Sequence, residues 1–248
     1  MASILDRYGI KEVADVTFYQ IGNDGKPGAP VLYLDTLKVS TIEQTAENTS
    51  ARGGKGNPEL IMWDYGKEIN VTLEDALFSA KSMAIMFGDG VVGEEMDTPI
   101  IKTWKGSWKA TPNEDDIFEY GDKTIKYVNL KEAKFYDAHG VEVTFGGEEQ
   151  KEAVFLTAGI PIKEMGVIEV SADSFPGTYY VTGDTYARSE ATGIDEFFQF
   201  IIPKAKVLSE NTITMEAEGD PSVFNMSLRV LRPADGKMMK LVKYNINE

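Results

Sequence analysis

The chain has 248 residues, and its 42% hydrophobic and 26% charged content is typical of a folded globular protein that can bury a sizeable core. It has no cysteine, which excludes disulfides and thiolate chemistry, and one histidine, His139 in a predicted turn, which disfavours histidine triads and multi-histidine metal sites. The net charge of −15 disfavours tight sequence-independent DNA binding, because phosphates attract an excess of basic residues. The sequence predicts neither a secretory signal nor a membrane span of about 20 apolar residues.

The first part of the chain predicts strands separated by turns. Residues 1–12 are typical of a short arm or a small helix, and 13–21 alternate polar and apolar side chains as a strand does. A cluster of glycine, asparagine, aspartate and proline at 22–28 indicates a turn, and residues 31–40 predict a second strand.

A polar segment at 44–58 has almost no large apolar residues and predicts a long loop before the strand pattern that resumes at 60–65. Loops of this length are usually functional or disordered. Its glycines, with Arg52 and Lys55, could hold a phosphate, but no Gly-Lys-Ser/Thr sequence and no helix start follows. The other interpretations are an arm that becomes ordered against a neighbouring subunit, which is favoured, and a plain flexible hairpin.

One α-helix is predicted, at about 72–87. Thr72 is a suitable N-cap and Asp75 follows it at capping-box spacing, while Gly88 is a suitable stop. Apolar residues recur at steps of three and four, which indicates a helix that covers a sheet.

The rest of the chain predicts a mainly β protein with a single domain. The section at about 90–150 has short strands and acidic turns and is elaborated relative to the rest. Further strands are predicted at 152–158, 167–170, 178–183, 197–208, 211–218 and 223–231.

The sequence contains no recognisable catalytic, nucleotide-binding or metal-binding motif, and it therefore predicts neither an enzyme nor a protein with a cofactor or metal. Pairs of carboxylates carry no information here, because 40 acidic residues make some pair inevitable. Aromatic side chains leave one binding function open, since Trp63, Trp104 and Trp108 could stack on a sugar.

Two blocks of the sequence resemble bacteriophage tail tube proteins. The first runs from Leu34-Asp35-Thr36-Leu37 through Arg52-Gly53-Gly54-Lys55-Gly56-Asn57 to Met62-Trp63-Asp64-Tyr65 and the predicted helix. The second runs from Gly183-Asp184-Thr185-Tyr186 through 200–206 to Leu231. Together the blocks cover a little under half of the chain.

The resemblance implies a tail-tube-type β-sandwich or barrel with one flanking helix, in hexameric rings that stack into a tube. It implies that the long hairpin loop, about 41–59, and the terminal arms, 1–12 and 240–248, reach the adjacent ring. The section at 90–150 departs from a minimal tube protein and is expected to be an insertion on the outer surface of a single domain, 1–248. The residues expected to act in inter-ring assembly are Glu43, Glu47, Arg52, Gly53, Gly54, Lys55 and Asn57.

The resemblance also implies partners and a location. The partners are further copies of the chain, a tape measure protein, a tail terminator and a baseplate or tip, with no membrane. Viral DNA passes through the channel without tight binding, because carboxylates repel phosphates. Glu216 and Glu218 share one face of a predicted strand and are expected to line the channel. The protein is expected in the virion tail after synthesis in the host bacterial cytoplasm.

Two alternatives stay open. A tail terminator or a baseplate component could have the same fold. A β-sandwich binding module, either a carbohydrate-binding domain or a capsid decoration protein, would instead use the tryptophans as its site.

Overall fold

A computed structural model describes most of the chain, with β1 to β16 and one α-helix, α1, in the described residues. The described residues are 7–88, 91–92, 99–146, 151–161, 167–168, 170–210, 213 and 223–244. The elements are β1 (Tyr8–Ile10), β2 (Asp15–Ile21), β3 (Pro27–Leu34), β4 (Leu37–Arg52), β5 (Glu59–Asp75), α1 (Ala80–Phe87), β6 (Val91–Val92), β7 (Ile100–Trp108), β8 (Ile117–Tyr120), β9 (Lys123–Lys126), β10 (Lys131–Tyr136), β11 (Ala153–Ile160), β12 (Val167–Ile168), β13 (Thr178–Ser189), β14 (Asp195–Val207), β15 (Phe224–Val230) and β16 (Lys240–Tyr244).

The prediction of a mainly β protein with one flanking helix is confirmed. The chain divides into two compact units. The first consists of residues Met1–Val91 and Ile168–Glu248, and the second of Val92–Val167. The short strands β6 and β12, at the two points where the chain passes from one unit to the other, pair with each other.

The first unit is built on an antiparallel sheet, to which nine of the described strands belong. Its main path has the order β3-β2-β13-β14-β15-β5-β4, with β1 added to β13 and β16 added to β14. The long hairpin of β13 and β14 is therefore the centre of the sheet.

The sheet curls until its two edges meet. Strands β3 and β4 lie at opposite ends of the path, yet only Asp35 and Thr36 join them, a span of about 10 Å. One buried cluster accordingly contains Phe18 from β2 as well as Leu73 from β5 and Met226 from β15. A sheet that faces itself across a shared core is a β-sandwich, as predicted.

The centre of the sheet requires a glycine. Gly183 on β13 lies opposite Phe200 on β14, and a Cβ atom at position 183 would be 1.9 Å from the end of the Phe200 ring. The ring therefore fills the space that any other residue would need, and Phe200 is buried in the core cluster.

The start of the predicted helix is wrong. Residues 72–75 belong to β5, whose Val71, Leu73 and Asp75 are buried at alternate positions, and β5 pairs with both β4 and β15 there. Pairing on both sides outweighs the local capping signal. The N-cap is Ser79, whose hydroxyl accepts a hydrogen bond from the Ser82 amide at 3.0 Å, and the helix ends at Gly88 as predicted.

The predicted hairpin loop at 41–59 is mostly paired strand. Strands β4 and β5 pair as far as Arg52 and Glu59, so only residues 53–58 form the connection. Backbone hydrogen bonds form the ladder whatever the side chains are, so a polar sequence did not prevent pairing. The predicted strand at 31–40 is interrupted at residues 35–36.

Parts of the predicted terminal arms are also strands of this sheet. Tyr8–Ile10 pairs with β13, and Lys240–Tyr244 pairs with β14. The hydroxyl of Tyr8 accepts a hydrogen bond from Lys243 at 2.7 Å, which joins the two terminal strands. Residues 1–6 and 245–248 lie outside the described residues.

The second unit has its own core. Strands β10, β11 and β7 form one sheet, and β8 and β9 form a hairpin. The rings of Trp104 and Trp108 pack against Phe118 and Phe135, at centroid distances of 5.2 and 5.9 Å. Its buried cluster consists of Phe135, Val143, Ala153 and Leu156.

The turn predicted around His139 is confirmed. The Asp137 carboxylate accepts hydrogen bonds from the amides of Val141 and His139, and these bonds lower the pKa of Asp137.

Of the helices in the described residues, none has the length and apolar character needed to span a membrane.

Candidate assembly surface

The distal hairpin, residues 43–68, projects beyond the sheet as a two-stranded ribbon. Strand β15 pairs with β5 only over residues 70–75. Residues 59–67 are exposed at every position, and residues 43–49 of β4 are exposed as well. An isolated two-stranded ribbon is only marginally stable in water, so contact with another surface would stabilise this one.

Large apolar side chains are concentrated on the returning strand of this ribbon. Trp63 lies opposite Thr49, and Tyr65 lies opposite Glu47, so these side chains share one face. The neighbouring positions point to the other face. Such a concentration of exposed apolar side chains is typical of an interaction site. The exposed residues, between 52% and 64% accessible, are Leu60, Ile61, Met62, Trp63 and Tyr65.

The tip of the hairpin has a backbone that needs glycine or asparagine. Gly54, Gly56 and Asn57 have φ angles of 84°, 90° and 51°, and the Asn57 amide donates to the Gly54 carbonyl at 3.1 Å. Arg52 and Glu59 close the ladder with a 3.1 Å ion pair, which contributes little in water because both side chains are exposed.

The base of the hairpin is anchored to the sheet. Arg229 of β15 forms an ion pair with Glu68 at the point where β5 enters the sheet. Between Glu68 and Tyr65 the register shifts, and Gly66 takes a φ of 62° beside Glu47. Such a bulge bends the ribbon relative to the sheet.

The structure places all of the predicted assembly residues on this hairpin. Glu43 and Glu47 are exposed on β4, Arg52 ends that strand, and the others form the connection at the tip, namely Gly53, Gly54, Lys55 and Asn57. The predicted channel residues, Glu216 and Glu218, lie outside the described residues.

Sequence reasoning missed the apolar residues of the returning strand. A signal was present: residues 60–63 form an uninterrupted apolar run, which is typical of a strand that is covered on both faces. Here the chain itself covers neither face.

The predicted stacking tryptophans differ in exposure. Trp104 and Trp108 are partly buried against the core of the second unit, whereas Trp63 is on the hairpin of the first. Within the part of the chain that the structure describes, no group of three or more histidine or acidic side chains is arranged to hold a metal ion.

A β-sandwich whose long hairpin exposes large apolar side chains has the features of a subunit that binds another protein surface. The sequence model of the YomU/Tube protein family matches residues 8–243, so the chain belongs to this family. It is 25% identical over 246 residues to a tail tube protein of Bacillus phage SPR, with 94% of this chain and 87% of that relative covered. The resemblance to tail tube proteins is thus confirmed.

Proposed function

We propose that this protein is a structural subunit of a phage tail tube, and that it forms hexameric rings that stack around an acidic channel. The observation that carries the proposal is the exposed apolar hairpin in a chain of the YomU/Tube family. The similarity to a tail tube protein of Bacillus phage SPR supports the same function.

In this proposal the hairpin is the contact to the adjacent ring. Five large apolar side chains are a little more than half exposed, and covering them would contribute about 1 kcal/mol each. The predicted assembly residues lie on the outgoing strand and the tip of the same hairpin, beside these apolar side chains. They are Glu43, Glu47, Arg52, Gly53, Gly54, Lys55 and Asn57.

The net charge of −15 supports an acidic channel that lets DNA slide without being held. Glu216 and Glu218 are proposed as channel-lining residues. The tape measure protein, the tail terminator and the baseplate or tip are proposed as further partners, and the virion tail as the location of the protein after synthesis in the host cytoplasm.

The second unit is proposed to be an insertion on the outside of a single tube domain. Its buried cluster is separate from that of the first unit, and the two chain crossings meet in the β6–β12 pair. A self-contained unit with its own core can be carried by a domain without contributing to that domain's core.

Negative-stain electron microscopy of the purified protein, over a range of concentration and salt, tests the proposal. Rings or tubes of uniform width with a central channel are expected. The variant Trp63→Ser/Tyr65→Ser should stay folded, because both side chains are exposed in the subunit, but should fail to form tubes.

A matched control is Asn48→Ser/Asp64→Ser, which changes polar residues on the opposite face of the same ribbon and should still assemble. The proposal fails if the wild-type protein stays monomeric at high concentration even when other tail assembly proteins are added. The role of the hairpin fails if both variants assemble as the wild type does.

A further inference from the structure

A second exposed apolar surface lies between β5 and α1. Leu77 and Phe78 are 63% and 60% accessible, although they directly follow the buried end of β5. The ring of Phe78 packs against Phe224 with a centroid distance of 4.6 Å, so its orientation is fixed. We refer to Leu77 and Phe78 as the apolar step.

The backbone of the apolar step is held on both sides. The Leu77 amide donates to the Asp75 carboxylate at 3.2 Å, and the Ala76 amide donates to the Thr36 carbonyl at 3.1 Å. The N-cap at Ser79 then starts the helix. The side chains are therefore presented by a rigid backbone, which lowers the entropic cost of binding.

The apolar step and the distal hairpin lie at opposite ends of one strand. Met62, near the middle of the apolar run, and Leu77, two residues beyond the end of β5, are 15 residues apart, which corresponds to at most about 50 Å of extended chain. A copy of the chain therefore cannot join its own two surfaces. A second copy that is displaced along the strand direction can, and such a head-to-tail contact repeats without closing on itself.

The geometry points to the apolar step as the surface that receives the distal hairpin of a second copy, an inference that rests on the proposed function. Trp63 and Tyr65 supply aromatic rings to Phe78, and aromatic pairs of this kind are favourable beyond their buried area. The apolar step thus offers an apolar surface that can cover Trp63 and Tyr65, which their own chain leaves exposed.

Charge at the two ends is complementary. The connection at the hairpin tip carries Lys55, beside the ion pair of Arg52 with Glu59. At the other end of the sheet, β14 ends at Val207, whose amide donates a hydrogen bond to the Gly177 carbonyl. Two exposed carboxylates lie close in sequence to this bond: Asp173 is four residues before Gly177, and Glu210 is three residues after Val207. Opposite charges steer the two ends together and disfavour contacts between like ends.

The size of the contact determines when it forms. Three apolar side chains on the Trp63 face of the hairpin and the two of the apolar step, with roughly 100 Å² exposed each, give about 500 Å² in total, which is below the 1,200–2,000 Å² of a stable interface. One contact between two free subunits is therefore weak. A ring that presents several such contacts at once gains from multivalency, so stacking occurs between rings rather than by addition of single subunits.

Site-specific cross-linking tests the inference, because the chain has no cysteine of its own. Thr49 lies opposite Trp63, and Ala80 is two residues after Phe78, so Thr49→Cys/Ala80→Cys keeps every apolar side chain of the contact. A short bis-maleimide should join assembled copies into a ladder of covalent oligomers. Each single variant should give dimers at most.

The control is Thr49→Cys/Thr192→Cys. Strands β5 and β14 run in the same direction, so the turn with Thr192, which precedes β14, lies at the hairpin's own end of the sheet. No ladder is expected from this control. Particles that form without a Thr49–Ala80 ladder, or with a ladder in the control, would overturn the inference and leave the proposed function intact. Absence of particles together with absence of the ladder would count against both.

Discussion

The hydroxyl of Thr36 donates a hydrogen bond to the buried carboxylate of Asp75, although the two residues are 39 positions apart. Thr36 belongs to the short connection between the two edges of the sheet, and Asp75 ends β5. The same carboxylate oxygen accepts the amide of Leu77 at 3.2 Å. The contact therefore joins the closure of the sandwich to the backbone of the apolar step.

Replacing Thr36 by valine should destabilise the first unit by about 1–3 kcal/mol, because a buried carboxylate loses a hydrogen-bond donor while the shape of the side chain is kept. Urea unfolding of the purified subunit measures this change. Thr45→Val, at an exposed position of β4, is the control and should change stability by about 0.5 kcal/mol or less. Equal effects of the two substitutions would contradict the structural role of the contact.

Local patterns in the sequence predicted many of the described strands and turns but not every boundary, and the strand predicted at 211–218 lies almost entirely outside the described residues. Thr72 and Asp75 have the spacing of a capping box, yet Asp75 is bonded to Thr36 and both residues lie in a strand between two neighbours. Pairing with strands that are remote in sequence determined that this segment is a strand and not a helix. The end of the helix at Gly88 was predictable, because a left-handed C-cap depends on a single local residue, glycine, and not on distant partners.

The position of the hairpin could be predicted from the sequence, but its exposed apolar character could not, and its role in assembly stays a prediction. Glycines and charges at 44–58 indicated a functional loop, and the structure places them on the distal hairpin. The apolar side chains at 60–65 were interpreted as an ordinary strand, because a sequence does not show whether the surface that covers a strand belongs to the same chain. The exposure of both faces in the structure distinguishes a strand that is covered by its own chain from one that is left uncovered.

Gly88→Ala should destabilise the first unit by about 2–5 kcal/mol. Gly88 has a φ of 86°, and a Cβ atom there would be 2.2 Å from the Phe175 carbonyl carbon, so backbone strain and a steric clash add. The matched variant is Gly25→Ala, which has a φ of 75° but open space around the new Cβ atom and should cost about 1–2 kcal/mol. Thermal unfolding of both variants separates the clash from the strain, and equal losses would show that no clash occurs.

Replacement of residues 93–166 by a short Gly-Ser turn should leave the first unit folded. The paired strands β6 and β12 bring the two chain crossings together, and the buried cluster of the first unit draws no residue from the part that is removed. The shortened chain should unfold cooperatively in urea and form particles of the same channel width but a smaller outer diameter in electron microscopy. A chain that is insoluble or unfolded would show that the second unit is integral to the fold.

Alkaline pH should unfold the subunit partly through two partly buried tyrosines. Burial raises the pKa of Tyr179, which packs against Phe18 at 5.9 Å, and burial together with a hydrogen bond to Asp184 raises that of Tyr244. A folded pKa above the unfolded value of about 10 contributes stability that is fully present below pH 10 and is lost as pH rises through the folded pKa.

The free energy of unfolding should therefore fall above about pH 10, in parallel with the rise of tyrosinate absorbance. Tyr179→Phe removes one of the ionising groups without removing the ring, so its stability should fall less steeply than that of the wild type. Tyr65→Phe, on the exposed hairpin, is the control and should follow the wild type. An unchanged slope for Tyr179→Phe would show that ionisation of this partly buried side chain does not limit alkaline stability.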